Sequence, residues 1–268
     1  MTREEAETAL AAMGRRGDSE FVLWDAALLC AQHDDPARDC AGARSVAAEA
    51  AERLTARLER QPCDEALADA LCGDLDFAGD LLTYDDLANA DMISVCQRRK
   101  GLPVALGVVF LTAARACGLD LQGADFPAHF LLRLEHEEGP LAVDPFAGGR
   151  VVMPSELVSR ALHAGLTPGA ADDLETLMNP VSDRRVLIRL QNNVYARAWH
   201  AGDYARAERT AIRRALLDPA DHRPWIDVGA AREAQGALTG AIDAFSRAAE
   251  LGGAPAGPAR DRLRLKLN

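Results

Sequence analysis

Three groups in the middle of the chain have types and spacing that could do chemistry. Gly101-Leu102-Pro103 opens a long apolar run, His129 starts a second such run, and Asp144 ends a third. Thiol-based hydrolysis or acyl transfer needs this plan. A nucleophile sits at the start of a buried helix, where the helix dipole favours its anion. A base stands on an adjacent strand, and an acidic group one strand further orients that base.

The segments that must position these groups read clearly. GLPVALGVVFLTAARACG is apolar on nearly every side apart from Thr112 and Arg115, which predicts a central helix buried all round. Pro103 suits its first turn, and Gly118 its C-terminal cap. LQGADF, HFLLRLE and LAVDPF, split by Pro127 and the HEEGP turn, predict strands of a small antiparallel sheet on that helix, with His129 beginning one and Asp144 ending another. After Asp144 the chain is expected to be irregular around Gly148 and Gly149. Helices are then expected from about Ser155 to His163 and from Ala170.

The first third predicts helices. Thr2 and Glu5 form a T-x-x-E capping box, Phe21, Trp24, Leu28 and Leu29 share one face, and Val46, Ala50, Leu54 and Leu58 recur at every fourth position. A further helix is expected from Asp64 to Asp76, and a short one ending in Arg98, Arg99 and Lys100. Helices, one buried helix and then hairpins indicate an α+β fold.

The last region repeats itself. Gly202 and Gly236 stand one tetratricopeptide period apart, and so do Ala207 and Ala241. In the second unit Trp225, Gly229, Gly236, Ala241, Phe245 and Ala248 fall where the tetratricopeptide pattern wants large and small packing residues. In the first unit Gln191 stands in the Trp slot and Tyr195 in the first Gly slot. Two units are few for an independent array, so docking on the preceding domain and a cap from Pro258 to Lys266 are expected. The repeats serve either packing alone or a partner.

Composition excludes several classes. With 30 basic and 41 acidic residues among 268, the net charge is −11, which argues against a general polyanion binder. Residues 1–180 carry 15 basic against 31 acidic groups and residues 181–268 carry 15 against 10, two regions of opposite sign that could attract each other. The cluster Arg98, Arg99 and Lys100 reads as complementing a helix dipole rather than binding nucleic acid. No phosphate-binding glycine loop and no GxSxG is present. No long apolar span and no basic-then-apolar leader is present either, so a cytoplasmic location with no membrane association is expected. None of the six cysteines forms a CxxC pair, and their expected role is as small buried packing residues.

LDFAGDLLTY, RRKGLPVALGVVFLTAARACGL, FPAHFLLRL and AVDPFAGG, in that order and followed by the repeats, resemble the SirB family of bacterial transglutaminase-like proteins. The resemblance covers roughly residues 65 to 250. It implies a transglutaminase-like (papain-like) core, over residues 1–180 with the helical N-terminal region, and tetratricopeptide-like helices over 181–268 docked on it. It matches His129 to the histidine of such cores and Asp144, further along the chain, to their aspartate. The slot of the nucleophilic cysteine holds Pro103. Ala128 stands where the family tends to have glycine, and Ala90 where serine usually follows the asparagine matched by Asn89.

Two functional readings follow. One is a non-catalytic interaction or regulatory protein, whose cleft at Pro103, Phe126, His129 and Asp144 and whose repeats, packed by Trp225, Gly229, Gly236, Ala241 and Phe245, bind a protein or peptide. The other is a hydrolase or acyl transferase using His129 and Asp144 as acid–base groups with a relocated nucleophile such as Cys96 or a water. Cys117 is excluded as that nucleophile, lying ~21 Å along the helix from Pro103. A structural pairing of His129 with Asp144 also stays open, as does a repeat groove that functions alone. No cofactor is expected, and no metal, because a third matched ligand is missing.

Overall fold

In the computed structural model, residues 1–267 are described and divide into two compact units. Met1–Asp39 group with Leu187–Asn268, and Cys40–Val186 form the other unit. The sequence-based boundary near 180 therefore lies close to the second crossing point, but Met1–Asp39 group with the C-terminal helices and not with the sheet-bearing unit.

The chain runs α1 (Arg3–Gly14), α2 (Leu23–Asp34), α3 (Ala41–Leu58) and α4 (Cys63–Ala68), the last continuing as a π-wound turn over Asp69–Asp74. Next come β1 (Ala78–Gly79), α5 (Met92–Arg98), β2 (Lys100–Gly101) and α6 (Pro103–Ala116). Strands β3 (Leu121–Ala124), β4 (Leu131–Leu134), β5 (Leu141–Asp144) and β6 (Arg150–Val152) follow. Then come α7 (Pro154–His163), α8 (Pro168–Asp172), α9 (Leu174–Leu177) and β7 (Pro180–Val181). The chain ends in α10 (Asp183–His200), α11 (Tyr204–Leu217), α12 (Arg223–Ala234), α13 (Leu238–Glu250) and α14 (Ala256–Leu267).

In the Cys40–Val186 unit the five strands pair antiparallel in the order β6-β5-β4-β3-β7. Helix α6 is the central one, with ten of its residues buried from Val104 to Ala114. Pro103 occupies its first turn and Leu102 caps it in an extended conformation. A glycine in a helix interior costs about 0.5–1 kcal/mol, and Gly107 is there for a reason of space. A Cβ on it would lie 2.2 Å from the Phe130 ring, so the residue after His129 packs directly on α6.

Two readings of this unit are corrected. His129 does not begin a strand; β4 starts at Leu131, and His129 ends a turn in which its N–H donates to the Phe126 carbonyl at 3.1 Å. The irregular stretch after Asp144 contains strand β6, and β7 was not foreseen. Both strands, Arg150–Val152 and Pro180–Val181, are too short to show alternation.

In the other unit the foreseen capping box closes α1: Thr2 Oγ1 accepts from Glu5 N–H at 3.1 Å, and Thr2 N–H donates to Glu5 Oε2 at 2.7 Å. The hairpin turns at Gly202 and Gly236 are equivalent. Both glycines have positive φ, +73° and +78°, and their N–H groups donate to the carbonyls of Trp199 and Glu233, the same step back along each chain segment. Positions at the same offset in the two hairpins also pack against apolar neighbours. In the second hairpin Gly229 faces Phe245, whose ring lies 2.6 Å from where a Cβ would stand. In the first hairpin the large residue is Tyr195, which packs on a buried cluster of Ala211, Val228 and Ala244. Ala241, Phe245 and Ala248 are buried together with Trp225 packed on them.

Candidate functional site

The site lies where α6 begins, where the Phe126–His129 turn enters β4, and where β5 ends. The turn has Pro127 at its second position and Ala128, with φ +57°, at its third. A type II turn favours glycine at that place, because a Cβ crowds the backbone at positive φ. His129 at its end is exposed. Its imidazole pKa is nonetheless held below the ordinary value, first by partial desolvation and then by the Arg160 guanidinium, with Asp144 pulling the other way.

Asp144 is buried and its carboxylate is heavily committed. Oδ1 accepts from the N–H groups of Phe146 and Ala147 at 3.0 and 3.2 Å, capping the tight turn Pro145–Ala147. Oδ2 accepts from Arg160 Nη1 at 2.8 Å. Arg160 reaches back from α7 and also donates to Glu156 Oε1 at 2.7 Å. Glu156 accepts in turn from Arg150, which lies opposite Asp144 in the β5–β6 register. Bonds from Arg150 and then Arg160 hold the Glu156 carboxyl down at about 2. Arg160 is the residue that sequence reasoning missed. Its signal was the i,i+4 spacing of Glu156 and Arg160 on a helix, an ordinary surface pair until β5 is placed beside it.

The other predicted positions separate. Pro103 is half-buried at the head of α6. Phe126, expected to line a cleft, is 1% exposed and belongs to the core beneath α7–α9, with its ring centroid 6.4 Å from that of His129. Cys96 is buried on α5, where desolvation pushes its thiol up to about 12. Burial likewise raises Cys30 to about 12 and Cys72 to about 11. A thiol at such values is almost wholly protonated near neutrality and is a poor nucleophile. All six cysteines are free.

A second polar centre lies just before α6. The Asp80 carboxylate accepts from the Thr83 hydroxyl at 2.6 Å, Thr83 N–H at 2.9 Å and Arg98 Nη2 at 2.7 Å, and these bonds, Thr83's first, hold it well below the usual carboxylate range. Arg98 also donates to fully buried Asn89, whose amide donates to the Thr83 carbonyl. Arg98 lies in the last turn of α5, where the dipole reading put it, and its guanidinium also braces the 80–89 loop. Arg99 takes the left-handed cap of α5, with its guanidinium 4.9 Å from the Phe77 ring centroid.

A buried helix leading into an antiparallel sheet, with a histidine and an aspartate brought to one end of it, defines an α+β protein with a transglutaminase-type site plan. Residues 42–192, more than half of the chain, match the transglutaminase-like superfamily, and the chain belongs to it. A UPF0162 protein of Xylella fastidiosa (strain Temecula1) is 35% identical over 179 residues, which are 66% of this chain and 63% of that protein. A UPF0162 protein of Vibrio cholerae is 44% identical over 73 residues, 27% of each chain. Human F-box only protein 21 is 38% identical over 69 residues, 26% of this chain and 11% of that one. The chain thus spans less than two thirds of the length of these relatives. No solved structure matches it.

Proposed function

We propose that this protein does not perform thiol acyl transfer and acts by binding a protein or peptide partner, as a SirB-type transglutaminase-like core joined to two tetratricopeptide repeats. The observation that carries this reading is Pro103 at the head of α6, where the superfamily plan requires a nucleophile. Two further observations support it. The Asp144 carboxylate is engaged by Arg160 and two backbone amides. The candidate substitute, Cys96, is buried and protonated, which weighs against a hydrolase with a relocated thiol. The equivalent turns at Gly202 and Gly236 and the Tyr195/Ala211 packing support the repeat assignment. A cytoplasmic setting belongs to the same proposal, and six free thiols support it. Among the described residues, no helix is long and apolar enough to cross a membrane.

The test is iodoacetamide labelling of each cysteine from pH 5 to 9, read by peptide mass spectrometry in the wild type and in His129→Ala. All six thiols should label only toward the ordinary range near pKa ~8.5 or above it, with no change in the mutant. A cysteine that labels one or more pH units lower and loses this in His129→Ala would establish the enzyme reading instead.

A further inference from the structure

The sheet has a cavity away from the Asp144 end. Arg133, Ala142 and Val152 oppose one another across β4, β5 and β6 and share one sheet face. Leu157 of α7 and Met178, just past α9, cover that face. Between them lies a cavity of about 510 Å³, with Met153, 61% exposed, on its wall. The small side chain of Ala142 in the middle of the row leaves the space open. Its size falls within the range of pockets that enclose small molecules, about 300–1,000 Å³.

The lining is apolar with one cationic feature on the floor. Arg133 is mostly buried, and its Nε donates to Glu135 at 2.6 Å. Among the described residues, no protein acceptor engages its two Nη groups. A guanidinium presents paired N–H donors along that edge in a geometry that fits a carboxylate. Glu175, the other charged residue of the lining, is exposed.

We propose that this cavity binds a small aliphatic carboxylate, with the chain against Ala142, Val152, Leu157 and Met178 and the carboxylate on the Nη edge of Arg133. Two sources present this chemistry: a free medium-chain fatty acid and the apolar C-terminal residue of a peptide. The site is separate from the His129 region.

Isothermal titration calorimetry on the full chain tests it with decanoate, decan-1-ol, acetyl-Ala-Leu and the amide of that dipeptide. A carboxylate should bind at one site, about tenfold or more tighter than its uncharged analogue. The tighter of the two carboxylates names the source. Arg133→Met should bring the carboxylate down to the level of that analogue. Met153→Gln, a neutral polar change at an exposed position of the wall, should weaken decanoate and decanol alike. Failure of both carboxylates to bind saturably, or carboxylate binding unchanged in Arg133→Met, overturns the proposal.

Discussion

At the scale of single residues, the sequence names His129 and Asp144 as candidates because motif blocks reveal residue types and order. What Asp144 bonds to was not legible, because Arg160 reaches it from an element 16 positions further on. The electrostatics give opposed predictions. Removing the Arg160 cation in Arg160→Met should raise the His129 pKa, and removing the Asp144 charge in Asp144→Asn should lower it further. Histidine proton titrations by NMR would check both, and equal shifts in one direction would contradict the geometry. His33 supplies a pH prediction. It is fully buried beside Glu7 Oε1 at 2.9 Å, and desolvation pushes it from 6.5 down to about 4. The unfolded chain therefore binds a proton that the folded one refuses between these values. Stability should fall as pH drops from about 6.5 to about 4, and the urea midpoint of His33→Gln should fall less over that window.

At the scale of elements, the amphipathic and all-apolar helices were legible from periodicity, and the sheet from its apolar runs and turn residues. Strand β7 was not, because Pro180–Val181 is defined only by its partners Ala124 and Gly123. The segment with Tyr195 in a glycine slot looked degenerate, since Ala211, part of the cluster on which Tyr195 packs, lies on the next helix. If the two positions act as one packing unit, Tyr195→Gly should cost about 3–5 kcal/mol and Ala211→Phe about 1–3 kcal/mol. The double variant should then cost at least about 1 kcal/mol less than their sum, measured by denaturant unfolding. Strict additivity would show that the two positions do not act as one unit. A second prediction concerns the end of α2. Asp34 pairs with Arg206, with Arg209 at 3.2 Å and with fully enclosed Arg213 at 3.6 Å, all on α11. Asp34→Ala leaves three guanidinium groups without that anion, one of them deeply buried, and should cost about 3–5 kcal/mol in the same measurement.

At the scale of the whole molecule, the charge imbalance between the two ends of the sequence pointed toward attraction, and the Asp34 cluster is one place where it is realised. The partition into units was not legible, because nothing in Met1–Asp39 names a partner that follows only after the whole of Cys40–Val186. The partition makes a prediction of its own. A chain ending at Val186 lacks α11, against which α1 and α2 pack. Hydrogen exchange should then show α1 and α2 unprotected while α6 and β4 keep their protection. Protection retained in α1 would contradict the grouping. The same arrangement sets a schedule for synthesis. Helices α1 and α2 leave the ribosome before α11, and the helices that cover them are made only after about 150 more residues, which at about 5–20 residues per second is a wait of roughly 7–30 s. During that interval α1 and α2 have no native cover from α11.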